Sequence, residues 1–293
     1  MERIGDGLEK VMEMLRMKAK DSGNLPNQQT AANSNATSDE KQRCPFGKCN
    51  GDGWVKVIDD DNYERLNHCD CRKLVLMQDR LKFAQIPEEF KELRISDFNT
   101  DIYSGANKKT AEMVKKIAIG YINNFEKMKE MGKGLYLYGE TKGSGKTRMA
   151  VSIGNALIRQ HLQSVRFITT VNLINEIKNS FDKDKKDDDS FLKLLRDAKN
   201  VDVLILDDFG TEKPTNWVNE IFYTILNDRM TAKKITFFTS NCRIEDLLHD
   251  SRLVNRISRM ATPIQFPEEP IRSALAKQEN DDVIKILLGG CRK

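Results

Sequence analysis

The chain has 293 residues, with 48 Lys plus Arg against 44 Asp plus Glu, for a formal charge of +4 at neutral pH. With 39% hydrophobic and 31% charged residues it has the makeup of a core-forming protein, which excludes a fully disordered chain, a collagen and a coiled-coil rod. No apolar stretch approaches the roughly 18 residues that a membrane span needs, and the polar N-terminus lacks the apolar run of a signal peptide; a cytoplasmic location with no membrane attachment is expected. So mild a net charge places any nucleic-acid contact in local patches rather than in a global basic field.

Residues 1–20 carry Ile4, Leu8, Val11, Met12 and Leu15 at helical spacing, ahead of Lys18 and Lys20. The pattern predicts an amphipathic helix with one apolar stripe, which it cannot bury alone. Residues 21–42 are almost free of large apolar side chains and read as a flexible linker. A helix of this kind on a tether suits docking to a partner; the alternative is that it packs back on its own chain.

Six cysteines stand at positions 44, 49, 69, 71, 242 and 291, the first four within 28 residues. A secreted disulfide scaffold would be short and cysteine-dense, and this chain is neither. Cys44 and Cys49 flank a turn bent by Pro45 and Gly47, while Cys69 and Cys71 make a second, tighter one. Zn²⁺ takes four thiolates in a tetrahedron, and two pairs on separate turns supply them. The run from Gly51 to His68 reads as a hairpin joining the two knuckles, with His68 as an alternative fourth ligand. Four cysteines close the coordination sphere, which points to structural rather than catalytic zinc. The competing reading is four reduced cysteines on a loop. Cys242 and Cys291 are expected to be ordinary thiols. A helix expected over residues 73–85 and stopped by Pro87 completes a zinc-binding module and connecting helix over 43–85.

From residue 86 to 293 the chain alternates helical and strand-like segments. Residues 107–130 predict one long amphipathic helix. GLYLYG, VRFIT, VDVLILDD, ITFFTSN and TPIQF are short apolar runs of the kind that a parallel sheet buries on both faces. Helical stretches separate them, so an α/β domain with helices on both faces of the sheet is expected. DKDKKDDD, at 182–189, is expected to be a solvated loop.

The strongest local signal is YLYGETKGSGKTRMAVSIGNALI, an apolar strand, a glycine-rich loop and then a helix, which is the context of a P-loop. Gly143 and Gly145 let backbone N–H groups turn inward around phosphate oxygens. Lys142 and Ser144 complete the loop, Lys146 puts a point charge on the β- and γ-phosphates, Thr147 offers a hydroxyl to Mg²⁺, and Arg148 opens a helix whose positive end faces the anion. One feature departs from the strict eight-residue spacing: the position five before Gly145 is Glu140, and the glycine is Gly139, so the loop is one residue longer. ATP is the expected ligand.

About 60 residues later, VDVLILDDFG is a buried strand delivering two acids at its C-terminal edge, where ligands bind in open parallel sheets. Asp207 is expected to hold Mg²⁺ and Asp208 to orient or deprotonate the attacking water; glutamate is the more usual second acid, so slow hydrolysis is expected. ITFFTSN ends in Thr239, Ser240 and Asn241, and a polar amide there can hold the same water. SRLVNRISRM then sets Arg252, Arg256 and Arg259 on one helix face, either as plain surface charge or as a finger toward a neighbouring γ-phosphate.

These motifs in this order resemble an AAA+ ATPase. IPEEFKELRISDF at 86–98, LILDDFG, FFTSN and RLVNRI resemble, more narrowly, the DnaC/DnaI-type bacterial and phage replicative helicase loaders, over roughly residues 86–275. The resemblance implies a five-stranded parallel sheet of order 5-1-4-3-2 flanked by helices, a homo-oligomer when ATP is bound, and delivery of a hexameric helicase onto single-stranded DNA. It implies Lys146 and Thr147 as the Walker A pair, Asp207 and Asp208 as Walker B, Asn241 as sensor 1, Arg256 as the finger with Arg252 in reserve, and Arg272 as sensor 2. It also places Lys178 and Phe181, in VNLINEIKNSF, at single-stranded DNA, a cation for phosphate beside an aromatic for base stacking; an amphipathic core helix is the alternative. Only 27 residues follow Phe266, too few for a helical C-terminal lid. Two other functions share this core, an accessory ATPase of DNA transposition of the IstB type and a non-hydrolysing adaptor switched by ATP. The cysteine module argues against the first, and Asp208 in place of glutamate keeps the second open.

Overall fold

The computed structural model describes residues 44–58, 62–179 and 188–289. The helix and linker expected over 1–42 lie outside the described residues, as do Phe181, Cys291 and most of the charged run at 182–189. The chain divides into two compact units, Met1–Val75 and Leu76–Lys293.

In the first unit, β1 (Trp54–Ile58) and β2 (Glu64–His68) form an antiparallel hairpin with Trp54 opposite His68. This is the hairpin that the sequence places between the two cysteine pairs. Helix α1 (Cys71–Phe83) begins at the last cysteine of the cluster rather than at Lys73.

The second unit is built on one parallel sheet. The helix expected over 107–130 is two helices, α2 (Gly105–Asn123) and α3 (Phe125–Met131). Asn124 interrupts it: its backbone, at φ −111° and ψ 22°, leaves the helical region, and its side-chain amide donates to the Gly120 carbonyl that already accepts its N–H. The break lets Phe125 bury itself against His161 at 4.8 Å between ring centroids.

The remaining elements are β3 (Gly134–Tyr138), α4 (Lys146–His161), β4 (Val165–Thr169), α5 (Thr170–Asn179), α6 (Asp188–Asn200), β5 (Val203–Phe209), α7 (Asn216–Thr231), β6 (Ile235–Ser240), α8 (Ser251–Met260), β7 (Ala261–Gln265) and α9 (Arg272–Gly289). The strand order is β4-β5-β6-β3-β7, all parallel. Counted from the strand that precedes the glycine-rich loop, this is the expected 5-1-4-3-2 arrangement. The continuous apolar runs of β3, β4, β5 and β6 are buried because helices cover both faces. Beyond β7 the described chain forms the single helix α9.

One cation sits inside this core. Arg229, on α7, is fully buried, and its guanidinium donates to the carbonyls of Ala198, Lys199, Val201 and Ile235 and to the Thr236 hydroxyl. Ala198 and Lys199 lie in the last turn of α6, whose carbonyls have no partner within their own helix. Arg229 therefore caps α6 from the side and ties it to β6. Burial lowers its pKa to about 9, so it is charged at neutral pH. Arg229→Met is expected to lose about 3 kcal/mol of stability by stranding several buried carbonyls. Urea denaturation checks this, and an unchanged midpoint contradicts it.

Candidate nucleotide site and metal centre

The loop from Gly139 to Thr147 leaves the C-terminal end of β3 and enters α4. Two of its glycines are required by shape as well as by backbone angle. Gly143 has φ +76°, and a Cβ there would stand 3.1 Å from Arg272 Cβ; Gly145 has φ +96°, and a Cβ would meet the Tyr103 hydroxyl at 3.1 Å and Phe98 at 3.2 Å. Any other residue would be strained at both.

Lys146 is buried at the start of α4. Its ammonium donates to the carbonyls of Gly139 (2.8 Å) and Thr141 (2.9 Å) and to the Ser144 hydroxyl (3.4 Å). Burial pushes its pKa down, against the pull of Glu268, Asp208 and Asp207. Lys142 is exposed, Arg148 is half-buried on the first turn of α4, and Arg272 donates its backbone N–H to Gly143 O at 3.3 Å.

The acid pair sits at the end of β5. Asp207 is buried, and its Oδ1 accepts hydrogen bonds from Thr147 (2.8 Å) and Thr239 (2.6 Å). Burial raises its proton affinity, and the two hydroxyls and Lys146 offset only part of that rise. A carboxylate and a hydroxyl at this separation are the hard oxygen donors that Mg²⁺ takes beside phosphate oxygens. Asp208 turns the other way. Its φ is +54°, and the pairing of β5 with β6 shifts between Leu206 and Phe209. This bulge leaves Asp207 inside and Asp208 exposed. Hydroxyls hold the unusual backbone: Asp208 N–H donates to Thr239 Oγ1, and Asp208 O accepts from Thr170 and Thr211. Asn241, half-buried, follows directly on β6.

The other expected residues lie elsewhere. Arg256 is half-buried, with its guanidinium 3.9 Å from the Tyr223 ring centroid and hydrogen-bonded to Tyr223, Asn227 and the Arg252 carbonyl. Among the described residues none of its hydrogen bonds runs to the P-loop of its own chain. Arg252 is exposed and paired with Asp250 at 3.0 Å, and Arg259 is exposed. Lys178 is exposed on α5, with its ammonium 5.7 Å from the Trp217 ring centroid.

Several site residues carry no local signal in the sequence. Tyr103 donates to the Ser144 carbonyl at 2.7 Å, and burial pushes the phenol's pKa upward, so it stays a donor. Thr239 joins both acids, although only its place at a strand end was readable. Glu268 and Glu269, just beyond β7, bond to the loop and to the start of α2 across more than 120 residues of sequence.

In the first unit, the sulfurs of Cys44, Cys49, Cys69 and Cys71 all lie within 4.8 Å of one another, with Cys44–Cys69 at 3.6 Å and Cys49–Cys71 at 3.5 Å. A tetrahedral zinc at the usual Zn–S length requires sulfurs about 3.8 Å apart, so the four fit one ion. Burial raises Cys44, but the N–H groups of Cys49, Lys48 and Phe46 outweigh it and bring the thiol to about 6. Burial and the crowded neighbouring sulfurs push Cys71 up. A bound cation reverses that crowding, because a coordinating thiol gives up its proton. His68 is engaged elsewhere, its ring tilted by 37° against Trp54 at 4.3 Å between centroids and bonded to Arg72, so the four cysteines make the candidate set without it.

A family profile described as "IstB-like ATP binding protein" matches residues 62–258, more than half of the chain. The Bacillus subtilis (strain 168) protein named "Replicative helicase loader DnaI" is 35% identical over 153 residues, which is 47% of this chain and 47% of that protein. From the same organism, "Phage-like element PBSX protein XkdC" is 26% identical over 222 residues, 73% of this chain and 79% of its own. The solved structure titled "Crystal Structure of the DnaI" matches with a TM-score of 0.51 at 29% identity, over 62% of this chain and 94% of that one. The match to DnaI thus spans about half the length of that relative. This sheet order around this loop defines an ATP-binding protein of the AAA+ type. Within that class the chain belongs to the family of IstB-like ATP binding proteins.

Metal analysis of the purified protein is expected to find one zinc per chain, and Cys71→Ser to release it. A metal-free sample whose hairpin amides stay protected from hydrogen exchange would contradict the structural role.

Proposed function

We propose that this protein is an ATP-dependent DNA replication factor that holds a hexameric replicative helicase through its N-terminal region and loads it onto single-stranded DNA. The observation that carries this reading is a loop and acid pair built for magnesium-ATP in a chain similar to a protein named replicative helicase loader. In this reading Lys146 engages the β- and γ-phosphates, and Thr147 and Asp207 hold Mg²⁺. Asp208, exposed by the bulge, and Asn241 face the attacking water. A neighbouring copy supplies an arginine in trans. Arg256 is the first candidate for that role and Arg252 the reserve; both would have to leave partners in their own chain, Tyr223 and Asn227 for Arg256 and Asp250 for Arg252. Lys178 and Phe181 meet the DNA strand. The exposed Ile58 and Leu66 of the zinc hairpin support its use as a protein contact. No described helix is long and apolar enough to cross a membrane.

The family description favours one second reading, an accessory ATPase of DNA transposition. The two differ in partner: a loader co-purifies with a ring helicase, a transposition factor with a transposase.

Lys146→Ala is expected to abolish ATP binding in a nucleotide titration, and retained affinity would refute the P-loop assignment. Removing residues 1–75, the first compact unit, is expected to end helicase capture and leave ATP binding intact. Capture of helicase by the truncated protein would rule out the docking role.

A further inference from the structure

The loop Gly139–Thr147 has one residue more than the eight-residue spacing, and an added residue brings an added backbone N–H that needs a partner. The structure supplies one from far along the chain. Glu268 Oε1 accepts from Glu140 N–H at 3.0 Å, and Oε2 accepts from Thr141 N–H at 2.8 Å. Two successive N–H groups turned onto one anion form a nest of the kind that elsewhere holds phosphate or carboxylate. A Cβ on Gly139 would sit 3.0 Å from Glu268 Oε1, so the glycine gives the carboxylate room to approach.

The peptide joining Gly139 to Glu140 is held at both ends. Its N–H goes to Glu268, and its carbonyl accepts from Lys146 at 2.8 Å. The carboxylate polarises that peptide toward the ammonium, linking the two charges through the backbone. Burial alone would raise the proton affinity of Glu268, but the bonds from Thr141 and Glu140 and the charge of Lys146 lower it, so it stays an anion. Glu268 is itself anchored: its N–H donates to Asn107 Oδ1 at 3.0 Å, and the neighbouring Glu269 accepts from the Ser104 N–H at the start of α2 at 2.9 Å.

We propose that Glu268 is a positioning residue for ATP binding, a carboxylate that fills the nest left by the lengthened first turn and so sets the course of the loop that presents Lys146. It acts through the loop and needs no contact with nucleotide. The proposal rests on ATP binding at this loop and on no other part of the loader reading.

The test is Glu268→Gln, which keeps the shape but turns an amide N–H donor against a loop N–H. Titration with a fluorescent ATP analogue is expected to show about tenfold weaker binding with an unchanged thermal midpoint. Amide exchange at Glu140 and Thr141 is expected to accelerate at least tenfold, while exchange in the sheet stays as in the native protein. Deleting Thr141 restores the eight-residue spacing, and in that background Glu268→Gln is expected to change affinity by less than twofold. Native affinity in Glu268→Gln, or unchanged exchange at both amides, would overturn the proposal. So would an equal loss of affinity in the shortened loop. Exchange reads the carboxylate's hold on the loop without nucleotide, and Lys146→Ala reports on the ATP site independently, so failure of the ATP reading is distinguishable from failure of this one.

Discussion

A single carboxylate oxygen holds the nucleotide site together. Asp207 Oδ1 accepts one hydroxyl from the first turn of α4 and one from the end of β6, so the loop helix, the acid strand and the neighbouring strand meet on one buried charge. Burying a carboxylate is unfavourable unless it is hydrogen-bonded or paired with a cation. Thr147 and Thr239 meet the first condition, and a divalent ion would meet the second. The bulge that sends Asp208 outward depends on the same Thr239, whose oxygen accepts from the Asp208 N–H. The two acids are adjacent in sequence but stand in different environments, one dry and one wet, which suits one to hold metal and the other to address water.

The loop shows a comparable balance on its other side. Lys146 takes carbonyls of the first turn, and Glu268 takes its N–H groups. The segment after β7 also meets Gly143 through the N–H groups of Ile271 and Arg272. The last strand of the sheet therefore does more than close an edge: it leads a charged segment onto the loop that follows its neighbour β3. Tyr103 completes the frame from below through the Ser144 carbonyl.

Much of this was readable from the sequence, and the exceptions have a common cause. Four of the parallel strands are buried and show as continuous apolar runs, the largely exposed β7 was visible as a shorter one, and their order followed from the resemblance. Cysteine spacing located the four-sulfur cluster, and loop spacing located the glycine-rich loop. The break at Asn124 was hidden because the periodicity of apolar residues continues through it, while the change is confined to the backbone angles and side-chain bond of one polar residue. Glu268 and Tyr103 were hidden because they act on the loop across 128 and 41 residues, and a lone Glu or Tyr in a connecting segment has no pattern. Arg256 matched the expected helix face, yet sequence spacing does not reveal that Tyr223 and Asn227 wait on the facing helix.

The central claim is that Asp207 makes nucleotide binding depend on a divalent cation. Titration of ATP with Mg²⁺ and with EDTA, on the native protein and on Asp207→Asn, tests it most directly. The native protein should bind at least tenfold more tightly with Mg²⁺, and Asp207→Asn should bind equally in both conditions. A variant that keeps the native dependence on magnesium would contradict the account.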